Sequence, residues 1–320
     1  MNKHFKLLIG YDGSDCAEAA LDDLCRAGLP PRGVEARVLS VADVFMLPPP
    51  PPSSYEIVEA ATEGRALDEQ RYAKNIQAMA AAEEFARRAG VRLRENFPEW
   101  DVKTEATKAS PAWELVARAD AWKPDLVVVG SQGRSALGRF VMGSVSQRVL
   151  TEARCSVRVA RGRVEVEEKP VRLIIGIDGS PASEAAVRAV AARHWPVESE
   201  ARIVIVQDPL VPTLVGQIIP PVAKWTEEVN ESESGWLQKI ADRSMQHLAS
   251  TELKVSSSVL AGDPKRVLVE EAERWGADSI FVGSTGFSNR VERFLIGSVS
   301  SAVAARAHCS VEVVREQKAE

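Results

Sequence analysis

The chain has 320 residues, 45% hydrophobic and 27% charged, with a formal net charge of −5. That length suits roughly two domains, and the interspersed charges leave no basic stripe for a nucleic acid partner. The four cysteines, Cys16, Cys25, Cys155 and Cys309, have neither CxxC nor zinc-type spacing, which fits a reducing cytoplasm.

In chain order, short apolar β-branched runs alternate with helical stretches. The opening run around Phe5–Ile9 is too short for a signal-peptide core and reads as a buried strand. The first series places strands at 5–10, 35–41, 101–107, 125–130 and 155–160, with helices at 14–27, 57–90, 110–121 and 143–152. Five prolines, Pro48 to Pro52, exclude helix and central strand and predict an extended, exposed loop between Leu47 and Thr62. The charged stretch Arg161 to Pro170 reads as a linker. A second series follows, with strands at 171–177, 201–207, 254–260, 278–283 and 309–314, and helices at 181–193, 222–250, 263–275 and 297–307. Such alternation predicts parallel sheets with helices on both faces. No run is long enough to span a membrane, so no membrane partner is expected.

The second series copies the first. LLIGYDGSDCAEAAL from Leu7 recurs as LIIGIDGSPASEAAV from Leu173, a shift of 166. RFVMGSVSQRV from Arg139 recurs as RFLIGSVSSAV from Arg293, and RCSVRV from Arg154 as HCSVEV from His308, both shifted by 154. The smaller shift means that the first half carries extra residues around its proline run. Two domains follow, 1–162 and 170–315. The two copies are expected to pack together as an intramolecular pseudo-dimer, with homodimerisation left open.

After the fourth strand comes GSQGRSALGRFVMGSVS, spaced as Gly130, two residues, Gly133, nine residues, Gly143-Ser144. Glycines let a ligand approach the backbone. Successive N–H groups and the helix start near Gly143 form a nest for anions. Ser144 and Ser146 add hydroxyls, and Arg134 and Arg139 add positive charge. No lysine stands where a Walker A loop needs one. Glycine after a strand is also ordinary punctuation, but the cassette recurs, each time with an Asp-Gly-Ser closing the first strand.

These landmarks resemble the phosphate loop and adenosine-contacting aspartate of ATP-binding universal stress proteins, and the chain is similar to their tandem, two-domain form. The resemblance implies two Rossmann-like (adenine-nucleotide α-hydrolase-like) α/β domains. Each would be a five-stranded parallel sheet of order 3-2-1-4-5 with helices on both faces. A crevice then opens where strands one and four diverge. Carried over by position, the contacts are Tyr11, Asp12, Val41, Gly130, Gln132, Gly133, Gly143, Ser144, Val145 and Ser146. In the second half they are Ile177, Asp178, Val206, Gly283, Gly286, Gly297, Ser298 and Ser300. The resemblance gives adenine to the Val41 backbone, ribose or adenine to Asp12, and phosphates to the rest. The implied ligand is ATP or AMP, with or without Mg. Two departures stand out. Ten residues rather than nine separate Gly286 from Gly297, which ranks the second site lower, and Ala109-Ser110-Pro111 replaces the Gly-Asp-Pro found at Gly262 to Pro264.

The expectation is a cytoplasmic stress-response regulator that binds adenine nucleotide, foremost in the first domain. At most it hydrolyses ATP slowly, because no general base, activated nucleophile or metal cage is legible. A nucleotide-free scaffold for an unknown protein partner remains an alternative. So does an enzyme of the wider α-hydrolase-like class, although YDGSDC and IDGSPA stand where its SGGxDS-type loop belongs. The four histidines read as surface or helix-end residues, and Cys155 and Cys309 as small buried hydrophobes. Cys16 lies near Asp12 as an oxidation-sensing candidate. Glu83, Glu84, Arg87 and Arg88 read as a solvated helix face. The tryptophans Trp195, Trp225, Trp236 and Trp275 read as core or interface, and Ile218 to Pro221 as an apolar patch or lid.

Overall fold

Within the first half, β1 (Phe5–Gly10), α1 (Asp15–Asp23), β2 (Val34–Ala42), α2 (Ala60–Asn96) and β3 (Asp101–Lys108) are followed by α3 (Pro111–Trp122), β4 (Leu126–Gly130), α4 (Ser144–Glu152) and β5 (Ser156–Ala160). The second half repeats them as β6 (Arg172–Ile177), α5 (Pro181–Ala191), β7 (Glu200–Gln207), α6 (235–248), β8 (Lys254–Ala261), α7 (Pro264–Trp275), β9 (Ser279–Gly283), α8 (Ser298–Arg306) and β10 (Ser310–Val314). The structure, a computed structural model, describes residues 4–43, 60–133, 142–161, 169–207, 235–285 and 296–316, with the backbone alone for 60–71. The proline run, most of the linker, the Ile218–Pro221 segment and Trp225 lie outside the described residues.

All ten strands stand where the apolar runs predict. Helix ends differ more: α1 stops at Asp23, where a 3-10 turn over Leu24–Arg26 takes over, and α2 runs past its expected end. The expected end of α2 at 90 falls on Gly90, but the helix continues to Asn96. A Cβ on Gly90 would sit 2.4 Å from Thr104 Cγ2. This glycine therefore allows α2 to lie close on β3 and does not terminate it.

All strands join one ten-stranded sheet of order β3-β2-β1-β4-β5-β10-β9-β6-β7-β8. Each half is parallel in the order 3-2-1-4-5. The halves meet through antiparallel β5 and β10, in the register Val157↔Val313, Arg158↔Glu312 and Val159↔Val311. The expected intramolecular pseudo-dimer is thus a continuous sheet.

Side chains alternate across that seam. Val157, Val159, Val311 and Val313 join one apolar core that runs beneath α3, α4, α7 and α8 through both halves. The opposite face holds two separate cores, one beneath α1 and α2 and one beneath α5 and α6. Between these two, Arg158 and Glu312 are both 1% exposed. Arg158 pairs with Asp23 at 2.5 Å and with Glu312 at 3.4 Å. Arg193 pairs with Glu312, and Ser310 Oγ donates to Asp23 at 2.7 Å. Burial opposes the Arg158 charge, but Asp23 and Glu312 more than offset it and hold its pKa above the ordinary value. Burial lowers that of Arg193 despite Glu312. Two carboxylates and two guanidiniums leave the cluster neutral, as buried charge requires.

Two further arginines cross the seam. Arg161 donates to the carbonyls of Ala305 and Ala307 at the end of α8, and Arg315 to those of Leu150 and Cys155 at and just beyond the end of α4. Each satisfies last-turn carbonyls of the other half's helix and sits at its negative pole. Gly28 also crosses, with φ of 65° and a would-be Cβ 2.8 Å from the Trp195 ring, while His194 N donates to its carbonyl at 3.0 Å. Gly28→Ala combines left-handed strain with a clash against that ring. It should lower stability by about 2 kcal/mol or more, measured by urea denaturation. An unchanged midpoint would refute this account of the seam.

Candidate functional site

The carboxyl ends of β1 and β4 are adjacent, and the chain leaves them toward opposite faces. At the end of β1, Asp12, Gly13 and Ser14 make a tight turn into α1. Gly13 has φ of 73°, and a Cβ there would lie 2.6 Å from the Phe85 ring. Ser14 N donates to Asp12 Oδ1 at 3.0 Å, and Ser14 Oγ caps α1 by accepting from Ala17 N at 3.1 Å. One oxygen of Asp12 is therefore spent on the turn. The other, Oδ2, faces the loop after β4, where a Cβ on Gly133 would stand 3.0 Å from it.

That loop is pinned at both ends. Ser131 N donates to Ala160 O at 3.1 Å and Gly143 N to Ser131 O at 2.8 Å. Ser146 Oγ donates to Gly130 O at 2.6 Å. Gly143 is the N-cap of α4 and has no side chain to satisfy the first-turn N–H groups. Those donors and the positive helix pole stay available beside Gly133.

The second half repeats the frame. Ser180 N donates to Asp178 Oδ1 at 2.9 Å, Ser284 N to Val314 O at 3.0 Å, Gly297 N to Ser284 O at 2.5 Å and Ser300 Oγ to Gly283 O at 2.5 Å. The extra residue of the second loop leaves these contacts in place. Gly286 lies outside the described residues, as do Arg134, Arg139, Glu292 and Arg293.

The structure thus brings together Asp12, Gly130, Gln132, Gly133, Gly143 and Ser144, and in the second half Asp178, Gly283, Gly297 and Ser298. Several have duties the motif alone does not reveal. A Cβ on Gly130 would come within 2.7 Å of the Cys16 carbonyl group, and one on Gly283 within 2.6 Å of Ala182's. Both glycines are demanded by the first helix packing on strand four. Ser146 and Ser300 spend their hydroxyl protons on framing the loop. Val41, Val145 and Val206 turn their side chains to the shared core. Tyr11 packs its ring in the first-half core and donates its hydroxyl to Glu18; burial and Glu18 raise its pKa well above the ordinary value.

Beside Asp12 lies a cleft of about 100 Å³, bounded by Tyr11, Ser40, Val41 and Asp43 and roofed by Ala78, Ala81, Ala82 and Phe85 of α2. Sequence reasoning missed this roof; the available signal was the alanine-rich stretch of Ala78, Ala80, Ala81 and Ala82. A second cleft, about 180 Å³, lies between α5 and α6 and is bordered by neither Asp178 nor Gly283. The face read as solvated is partly tied down, because Arg88 reaches Glu18 of α1 at 3.0 Å. All four histidines are exposed. Cys16 Sγ lies 3.8 Å from Ser131 Oγ. Among the described residues no helix is long and apolar enough to cross a membrane.

The model of the Universal stress protein family matches residues 4–161 and again 171–315. A universal stress protein of Mycolicibacterium smegmatis is 35% identical over 223 residues, covering 67% of this chain and 69% of its own. One from Mycobacterium tuberculosis H37Rv is 31% identical over 230 residues with the same coverage. The crystal structure of a universal stress protein from Archaeoglobus fulgidus superposes over 98% of each chain with a TM-score of 0.58 at 19% identity, a likeness of fold.

Two predictions follow from the packing. Gly130→Ala should cost about 2 kcal/mol by forcing α1 off β4. Gly143→Ala, with φ of −67° and nothing nearer than 3.4 Å, should cost no more than about 1 kcal/mol, the loss of a tolerated N-cap residue; equal losses in urea melts would contradict the packing role. Burial pushes the Cys155 and Cys309 thiols up to about 12, so both remain protonated at pH 8. Iodoacetamide should spare them in the native protein and label them after denaturation, as mapped by peptide mass. Native labelling of either would refute the assignment.

Proposed function

Because the chain belongs to the universal stress protein family through both of its halves, we propose that it is a stress-response regulator binding adenine nucleotide, ATP or AMP, in its first domain (1–162). The domain 170–315 repeats the frame. The observation that carries this reading is the opening between Asp12 Oδ2 and Gly133, where a Cβ would fill the cradle. It faces the uncapped N-terminus of α4, which offers N–H groups to an anion.

The residues fit the ligand in two parts. The cleft between the Ala78, Ala81 and Ala82 roof and the end of β2 would take adenine, with the Val41 backbone at its edge and Asp12 Oδ2 toward the ribose. The backbone of Gln132, Gly133 and Gly143 and the Ser144 hydroxyl would hold phosphates. Asp12, half-buried where Asp178 is exposed, supports ranking the first site above the second. Bound nucleotide supplies phosphate charge; the chain's own groups bind and orient it.

The test is the nucleotide content of purified, denatured protein, together with Gly133→Asp. Gly133 is exposed, so the fold should survive, while the new carboxylate repels phosphate and weakens binding on the order of tenfold or more. Near-stoichiometric nucleotide in wild type, lost in the variant, is expected. Absence of nucleotide, with none taken up from excess ATP and magnesium, would overturn the reading in favour of the scaffold.

A further inference from the structure

The halves are copies, yet at the centre of their seam they differ in sign. Arg158 of β5 and Glu312 of β10 are repeat equivalents at the same 154-residue shift as the flanking blocks, and they stand directly opposite in antiparallel register. The strand residues beside them match. Val157 and Val159 match Val311 and Val313. Ser156 matches Ser310, and Arg161 matches Arg315, each arginine reaching the other half's helix end. An isologous pairing sets every central residue against itself. Two first halves joined through β5 would keep the apolar and capping contacts but bury Arg158 against Arg158. Two second halves would bury Glu312 against Glu312.

We propose that the Arg158–Glu312 pair is a pairing code: it makes each fifth strand accept the other half of this chain and reject a copy of its own half. A buried ion pair is a poor source of stability, because desolvation consumes most of its Coulomb gain. Two like charges at the same place repel where the mixed pair attracts, so the pair separates the right partner from the wrong one more than it stabilises the right one. Asp23 braces Arg158 from the first half and Arg193 braces Glu312 from the second; only the mixed pairing joins the two braced pairs through the Arg158–Glu312 contact, whereas a like pairing would set two guanidiniums or two carboxylates against each other. The open edges of two duplicated domains are thereby directed to one another.

The test uses the full chain. Glu312→Arg makes both edges basic, and Arg158→Glu makes both acidic. Each variant alone should melt about 10 °C below wild type and form no dimer. Mixed in equal amounts, they should give a dimer containing one chain of each, seen in native mass spectrometry as the mixed mass. Wild-type stability in either variant alone, or folded variants that give no mixed dimer, would overturn the code. Should the reversals fail to fold, Asp23→Asn/Arg158→Met/Arg193→Met/Glu312→Met, which removes all four buried charges, decides the matter. It should melt within about 4 °C of wild type, whereas a drop of about 10 °C or more would make the cluster a plain stabiliser and refute the proposal.

Discussion

Two antiparallel strands of five residues each, β5 and β10, hold this molecule together. They turn two parallel sheets into one and carry a single apolar core across the seam. They are also the floor of both candidate sites: the carbonyl of Ala160 at the end of β5 holds Ser131, and that of Val314 at the end of β10 holds Ser284. The arginine following each strand then grips the cradle helix of the opposite half. Interface and binding frame are built from the same ten residues and their immediate neighbours.

At the candidate site, structural duties are divided among atoms rather than among residues. Asp12 spends Oδ1 on the turn and keeps Oδ2 toward Gly133. Of the motif glycines, Gly130 answers to the backbone of α1, whereas Gly133 stands open. Ser146 steadies the loop while Ser144, exposed at the helix start, does not. A motif read as one functional unit is thus partly a packing solution, and the same solution recurs at Gly283 and Ser300.

The halves differ at particular positions within a shared frame. Tyr11, which donates to Glu18, is replaced by Ile177 in the second half, and Asp12 is more enclosed than Asp178. The seam charges are opposite. The contacts that shape each loop frame are kept to within a few tenths of an ångström.

Strand positions, the duplication and the Asp-Gly-Ser and Gly-x2-Gly landmarks were legible in the sequence, because they depend on local chemistry: buried β-branched runs, glycine where φ is positive, serine where a helix begins. The family resemblance supplied the sheet order. What only the tertiary structure decided depends on partners distant in the chain. Gly90 reads as a stop, yet it admits Thr104. Arg158 reads as one charge in an apolar strand, and its meaning lies in Asp23 and Glu312, far away in sequence. The alanine roof over Asp12 reads as featureless helix until α2 lies across β2 and β3. Local sequence sets what each segment can be; burial against a particular neighbour sets which of its residues must be small, charged or paired.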